Sequence, residues 1–189
     1  SIVFRLVSSI VSITVLVFVF RTWIIEGVGI PKELLGNSME PHFFPGERIF
    51  LLKFIYGFRN PAHGEVIVFD RMVVGEDGKM RKMSYIKRVI GVPGDRIEFY
   101  NGELIRNGKR VEERYLSKKS VEDDTTHPPV TVPDGHFYVA GDNRPYSEDT
   151  RYWLIEEPER AFVPKKDIRG KAFLVYWPPW RIRFVRTYR

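Results

Sequence analysis

The sequence predicts a mainly β protein, with an antiparallel, barrel-like or sandwich body behind an N-terminal membrane-spanning helix. A charge-free apolar run near the N-terminus favours a helix in lipid. After Gly29 the chain consists of short apolar runs separated by Gly, Pro and Asn, which is typical of strands joined by turns. No long segment with helical periodicity follows Gly29, so a β body is expected. The 189 residues fit one main domain with attachments.

The apolar run is Leu6–Phe20, LVSSIVSITVLVFVF, and it is bracketed by Arg5 and Arg21. A spanning helix needs about 20 residues, and arginines near its ends can reach the lipid headgroups. We therefore assign residues 1–25 to a transmembrane anchor and residues 26–189 to a β-rich domain. A cleaved secretory signal and a buried core helix remain open as alternatives. The two arginines lie on opposite sides of the run, so charge gives no orientation.

Short runs rich in β-branched and aromatic residues predict the strands of the body. They are RIFLLKF (48–54), EVIVFD (65–70), SYIKRVI (84–90), RIEFY (96–100), HFYVAG (136–141) and KAFLVYW (171–177). Asn-Gly pairs at 101–102 and 107–108 are typical of hairpin turns. Residues 116–133 are polar and contain prolines, so we expect an exposed loop there.

Composition excludes several kinds of site. Cysteine is absent, which excludes a disulfide framework, a cysteine nucleophile and a thiolate metal site. The 4 histidines show no close metal-binding spacing and no nucleotide-binding glycine motif occurs, so no metal or cofactor is expected. The net charge is +6, but basic and aromatic residues cluster only in the C-terminal tail, WPPWRIRFVRTYR. We interpret the tail as a solvated end or a contact with anionic lipid, and expect no nucleic-acid partner.

Three stretches contain residues that could do chemistry. Ser38 lies in the turn-rich GNSMEP, and taken alone it is an ordinary loop or capping serine. Lys87 lies in SYIKRVI, where strand alternation puts it on the face opposite Arg88, and taken alone it is an edge lysine. Burial could deprotonate a lysine near neutral pH, whereas an arginine keeps its proton. The third stretch, GDNRPYSEDTR, reads alone as a solvated turn with local ion pairs.

Together these stretches resemble one enzyme family. NSMEP, PAHGEVIVF, YIKRVIGVPGD and GDNRPYSEDTR, in this order behind an apolar segment, are similar to the motifs of type I signal peptidases. These are membrane-bound serine–lysine proteases, and the resemblance runs in pieces from about Arg21 to Tyr176. It implies that Ser38 is the nucleophile, Lys87 the general base, and Ser147 the residue that orients Lys87.

The resemblance also implies roles for the neighbouring side chains. Structural ion pairs would join Asp142 with Arg88 and Asp149 with Arg151. Shallow pockets for small side chains would be lined by Met39, Phe43, Tyr85 and Ile86. The main-chain N–H of Ser38 would help to form the oxyanion hole.

Two departures from the family pattern stand out. Gly36 occupies the place where many relatives carry a hydroxyl donor for the oxyanion, and the residues KELL precede it. The residues IEEPERA form an apparent insertion at 155–161. The site would therefore rely on backbone donors for the oxyanion.

By resemblance the function is removal of signal peptides, with small residues before the cleavage point, from exported preproteins. The protein would lie in the cytoplasmic (inner) membrane, with one span in this chain, lipid contact, and its catalytic domain on the extracytoplasmic side. A serine–lysine peptidase dedicated to pilin or conjugative-transfer proteins stays open as an alternative. An inactive membrane-anchored β binding module is the alternative of another class.

Overall fold

The computed structural model describes residues 2–19, 24–31, 34–75, 77–116, 120 and 124–188. Its helices are α1 (Ile2–Val19), α2 (Ile55–Phe58) and α3 (Thr150–Glu156). Its strands are β1 (Ile25–Gly29), β2 (Arg48–Leu52), β3 (Val66–Val74), β4 (Met80–Gly91), β5 (Arg96–Tyr100), β6 (Glu103–Arg106), β7 (Lys109–Arg110), β8 (His127–Thr131), β9 (His136–Ala140), β10 (Val163–Pro164), β11 (Ile168–Trp177) and β12 (Arg183–Phe184).

The helix α1 coincides with most of the predicted anchor. It is 18 residues long, and its large apolar side chains, such as Ile2 and Phe4, are exposed. Across the described residues, no helix combines the length and the apolar character that crossing a membrane requires. The predicted span is therefore not confirmed. Residues 1 and 20–23 of the predicted anchor lie outside the described residues.

The body consists of two antiparallel sheets. The larger has the strand order β1-β2-β11-β3-β4-β9-β10, with β12 paired to β11, and the smaller has the order β7-β6-β5-β8. The hairpin of β3 and β4 contributes nine residue pairs, from Val66↔Arg88 to Val74↔Met80. The prediction of a mainly β, antiparallel fold is confirmed.

Strand alternation in β4 distributes its side chains among the hydrophobic clusters of the core. Tyr85 and Val89 pack in a cluster with Phe69 and Trp153. Ile86 packs against a second cluster, and Ile90 belongs to a third, beneath the small sheet. Both faces of β4 are thus covered, and this covering buries the charged residues between these positions.

The segment 116–133 differs from the predicted exposed loop. His127–Thr131 form β8, and Ser120 and Val132 are each 1% exposed. Prolines 128 and 129 are tolerated because, among the described strands, β8 pairs with β5 alone and lies at the edge of the small sheet. Residues 117–119 and 121–123 lie outside the described residues.

The IEEPERA stretch is attached to β3. Arg71 of β3 donates to the carboxylate of Glu157 at 2.8 Å and to the main-chain carbonyl of Arg160 at 2.5 Å. Arg160 in turn donates to the carbonyl of Met72 at 2.7 Å. The stretch therefore packs on the large sheet.

Candidate active site

The strand β4 and a short 3₁₀ helix at Leu34–Met39 bring Lys87 and Ser38 into contact. Lys87 Nζ donates a hydrogen bond to Ser38 Oγ at 2.6 Å, and each residue is only 3% exposed. Lys87 is held in register by β3, where its partner is Ile67. A hydroxyl and an amine are thus isolated together from bulk water.

The surroundings of Lys87 disfavour its charged form. Burial lowers the pKa of Lys87 to about 8, against smaller raising effects from the carboxylates of Asp149 and Glu148. Among the described residues, no carboxylate oxygen forms an ion pair with Lys87 within 4.0 Å. A lysine with this pKa is partly neutral at physiological pH, so it can accept a proton from the hydroxyl that it contacts.

Arg88 lies on the opposite face of β4 and is fully paired. Its Nε and Nη2 donate to the two carboxylate oxygens of Asp142 at 2.8 and 2.6 Å, and its Nη1 donates to the carbonyl of Gly64 at 2.8 Å. Asp142 is 0% exposed, and the Arg88 guanidinium holds the pKa of that carboxyl below its usual range against the opposing effect of burial. The pair joins β4 to the GDNRPYSEDTR segment.

A His-dependent triad with Ser38 is not formed. His42 Nδ1 lies 3.1 Å from Asp142 Oδ2, which resembles the histidine–aspartate half of such a triad. The other ring nitrogen, Nε2, lies 3.2 Å from the hydroxyl of Tyr188. Since both nitrogens have neighbours other than Ser38, the only base that contacts the serine among the described residues is Lys87.

Asp149 organises the second half of the GDNRPYSEDTR segment. It caps α3 by accepting from the main-chain N–H of Arg151, and it pairs with the guanidinium of Arg151 at 3.0 Å. Its Oδ2 also accepts from the N–H of Gly141 at 2.9 Å. The structure therefore contains both ion pairs that the family resemblance implied.

The same segment lies directly against the nucleophile candidate. A Cβ built on Gly141 would overlap the Ser38 carbonyl oxygen and Ser147 Oγ, so only glycine fits there. The main-chain N–H of Asn143 donates to the Ser38 carbonyl at 3.0 Å. The side-chain Nδ2 of Asn143 donates to the Asn37 carbonyl at 3.0 Å.

Comparison with known proteins identifies the family. The family model described as signal peptidase, peptidase S26, matches residues 3–177. The chain belongs to the signal peptidase family. It is 37% identical to signal peptidase I P of Bacillus subtilis subsp. natto, over 91% of this chain and 88% of the relative. It is 34% identical to a probable signal peptidase I-2 of Synechocystis sp., over 91% and 72%, and 32% identical to signal peptidase I of Bacillus licheniformis, over 95% and 91%. The protein is therefore a serine endopeptidase.

Ser147 departs from the arrangement that the signal-peptidase resemblance implied. Its Oγ is buried and has no hydrogen-bond partner among the described residues. The expected hydrogen bond from Ser147 to Lys87 is thus absent from the structure, although Gly141 lies between this hydroxyl and the Ser38 carbonyl. An orienting role for Ser147 stays a prediction.

The predicted pocket residues pack in two different clusters of the core. Met39 and Phe43 are each 1% exposed and belong to the second core cluster, so they fill the space beneath the 3₁₀ helix. Tyr85 stacks on Phe69, and its hydroxyl donates to Glu148 at 3.4 Å. Ile86 is half-buried against the second cluster. These packing contacts do not show which of the four side chains would touch a substrate, so their roles in a pocket stay predictions.

Sequence reasoning did not single out Asn143 or Glu148, although both lie within a motif that it quoted. Glu148 accepts from Trp153 Nε1 at 3.0 Å and raises the pKa of Lys87. Asn143 contacts residues 106 positions earlier in the chain. For Asn143 the sequence does contain one indication of a structural role, because the amide of an asparagine between Asp142 and Arg144 can both donate and accept hydrogen bonds. The sequence contains no such indication for Glu148.

Proposed function

We propose that this peptidase removes signal peptides from exported preproteins through an acyl-enzyme on Ser38, with Lys87 as the general base. The observation that carries the proposal is the 2.6 Å hydrogen bond between the buried Lys87 Nζ and Ser38 Oγ. Relatives named signal peptidase I, at 32–37% identity over most of the chain, support the substrate class.

The chemistry follows from the two side chains. Neutral Lys87 takes the proton of the Ser38 hydroxyl as Oγ attacks the scissile carbonyl carbon. The protonated amine then gives this proton to the leaving amine nitrogen as the peptide bond breaks, which leaves an ester on Ser38. Lys87, neutral again, takes a proton from a water that attacks the ester, and it returns that proton to Ser38 Oγ as the acid product leaves.

The tetrahedral intermediates carry a negative oxygen that needs donors. We propose the main-chain N–H of Ser38 as one donor, since Gly36 offers no hydroxyl at the place where many relatives carry one. Loss of one such donor in a serine protease costs about 3–4 kcal/mol of transition-state stabilisation. The backbone at residue 38 is therefore central to the proposal.

An extended substrate can add to the open edge of β4. Every residue from Met80 to Arg88 pairs with β3 on one side, whereas β9 pairs with β4 only from Arg88 onward. The other edge of residues 80–87 thus has no strand partner among the described residues, and it ends at Lys87. Main-chain hydrogen bonds along this edge would supply affinity. Met39 and Phe43 fill the core nearby, so pockets above them would be shallow and would favour small side chains.

We further propose that the catalytic body acts on the outer side of the cytoplasmic membrane, in contact with lipid. Two exposed apolar regions support lipid contact. One is α1, and the other is the C-terminal tail, where Trp180 is 80% and Phe184 76% exposed beside basic residues.

The test is cleavage by the purified full chain of two substrates, a secretory preprotein with an Ala-x-Ala site and a pilin precursor, followed by sequencing of the new N-termini. We expect cleavage of the preprotein after the small residue, and none with Ser38→Ala. Lys109→Ala, which changes an exposed lysine on the small sheet, is the matched control and should cleave normally.

Each other outcome has a definite meaning. Cleavage of the pilin precursor alone would favour the dedicated peptidase. A folded wild-type chain that cleaves neither substrate would favour the inactive binding module, and an active Ser38→Ala variant would refute the nucleophile.

A further inference from the structure

Asn143 holds the peptide group between Asn37 and Ser38 from its carbonyl side. Its Nδ2 donates to the Asn37 carbonyl at 3.0 Å, where the main-chain N–H of Glu40 donates as well at 3.2 Å, and its own main-chain N–H donates to the next carbonyl, that of Ser38, at 3.0 Å. A carbonyl oxygen can only accept, so the amide atom beside Asn37 must be the NH₂ group. Asn143 is 6% exposed, so water competes little for these bonds.

The Asn37 carbonyl and the Ser38 N–H belong to one planar peptide unit and point in opposite directions. A donor on the carbonyl therefore fixes the direction of the N–H on the other side of the plane. It also polarises the unit, which makes the N–H a stronger donor. We propose that Asn143 is a positioning residue for the oxyanion donor, its NH₂ group orienting and polarising the Ser38 N–H. This inference rests on the proposed function.

A rigid segment delivers the Asn143 amide to this place. The preceding residue, Asp142, is clamped by Arg88, and Gly141 is fixed by Asp149. Ser120 Oγ bridges the two sides of Asn143, since it donates to the Asp142 carbonyl at 2.7 Å and accepts from the Arg144 N–H at 2.9 Å. The amide is therefore pre-oriented before any substrate arrives.

The orientation of the Ser38 N–H matters more in this chain, because Gly36 has no side chain that could donate a second hydrogen bond to the oxyanion. Removing a direct oxyanion donor lowers kcat roughly 10²–10³-fold. Since Asn143→Ala would leave the Ser38 N–H in place but less well oriented, we expect kcat to fall by roughly 10- to 100-fold. KM should stay within about twofold, because the interaction strengthens only in the transition state. The acid limb of the pH profile should not move, since Asn143 does not contact Lys87.

The readout that separates this role from general scaffolding is a pair of inhibitors. With a peptide aldehyde ending in Ala, Ser38 Oγ adds to the aldehyde carbon, the hydroxyl proton moves to Lys87, and the aldehyde oxygen becomes the oxyanion. The matching peptide alcohol forms no such adduct. We expect Asn143→Ala to weaken the aldehyde by the same factor as kcat/KM and to leave the affinity of the alcohol unchanged.

Tyr56→Phe is the control, because it removes a buried hydrogen bond, from the Tyr56 hydroxyl to Glu65 at 3.1 Å, that involves none of residues 37, 38 and 143. It should keep kcat within about twofold of wild type. If Asn143→Ala keeps wild-type kcat and aldehyde affinity, the inference is overturned. The same holds if aldehyde and alcohol weaken together, or if Tyr56→Phe loses as much kcat as Asn143→Ala.

Asn143→Asp is the second variant, for use if the alanine variant does not fold. It keeps the side-chain shape, but its carboxylate cannot donate to the Asn37 carbonyl, so kcat should fall at least as far; an unchanged kcat overturns the inference. Failure of the proposed function looks different, because then the wild-type chain does not cleave or Ser38→Ala still does.

Discussion

Two consecutive residues of β4, Lys87 and Arg88, are basic and buried, but their side chains have different partners. They are 3% and 1% exposed, on opposite faces of one strand. Arg88 donates to both carboxylate oxygens of Asp142. Within the described part of the chain, Lys87 has only the neutral hydroxyl of Ser38 at hydrogen-bond distance, and burial lowers the pKa of Lys87 to about 8. Because both side chains are buried, the difference between them lies in their partners. A basic side chain that is paired with a carboxylate stabilises the fold, whereas one beside a neutral hydroxyl can exchange protons.

The largest expected effect comes from making the two positions alike. Lys87→Arg should lower kcat/KM at least about 10³-fold, because a guanidinium keeps its proton and cannot act as the base. Steady-state cleavage of the preprotein measures this, with circular dichroism to show that the variant folds. An arginine variant with more than a few per cent of wild-type activity would show that the base lies elsewhere.

Removing the paired cation should cost stability. Arg88→Met leaves the carboxylate of Asp142 buried without its guanidinium, which typically costs about 3–5 kcal/mol. Urea unfolding measures the change, and the double variant Arg88→Met with Asp142→Leu should recover much of it, because no charge is then stranded. Equal losses in the single and double variants would contradict the role given to the pair.

Protonation of Lys87 should determine how kcat/KM depends on pH. With a pKa of about 8, Lys87 gains its proton as the pH falls, so kcat/KM should drop about 50-fold between pH 8 and pH 6. Glu148→Gln should move this limb to lower pH, because the charge of Glu148 raises the pKa of Lys87. A profile that is flat down to pH 6 would argue against a lysine base.

The same substitution should have the opposite effect at the two positions. Lys87→Met should stabilise the fold at pH 7: it relieves about 3 kcal/mol of burial penalty and loses a hydrogen bond worth about 1 kcal/mol. The folded-state pKa lies below the unfolded value, so the unfolded chain binds the proton more tightly. Wild-type stability therefore rises between pH 8 and 10.5, and the relieved penalty shrinks to about 1 kcal/mol at pH 10.

Urea unfolding of both proteins at pH 7 and pH 10 measures this difference. Arg88→Met is the matched comparison, since it should be destabilised at both pH values. A Lys87→Met variant that is less stable than wild type at pH 7 would mean that the amine is better solvated than its burial indicates.

Local patterns made most of the fold predictable, whereas Ser38 and Lys87 were singled out by the family resemblance, and their catalytic roles stay predictions. The alternation in SYIKRVI separated Lys87 from Arg88, and that separation corresponds to two faces of β4 in the structure. The strand β8 was not predicted, because its two prolines disfavour strands except at an edge, and an edge is a property of the whole sheet. The contact of Asn143 with Asn37 joins residues 106 positions apart, which no local pattern reveals.

The smallest expected effect is that of Ser147→Ala. It tests whether an uncharged hydroxyl beside the site contributes as much to stability and activity as the charged side chains do. Because Ser147 Oγ is buried without a partner among the described residues, Ser147→Ala strands no other group and should change stability by less than about 1 kcal/mol. Activity should weaken less than about tenfold. Loss of all activity, with Tyr56→Phe unaffected, would mean that the Ser147 hydroxyl turns to Lys87 during the reaction and orients the amine there.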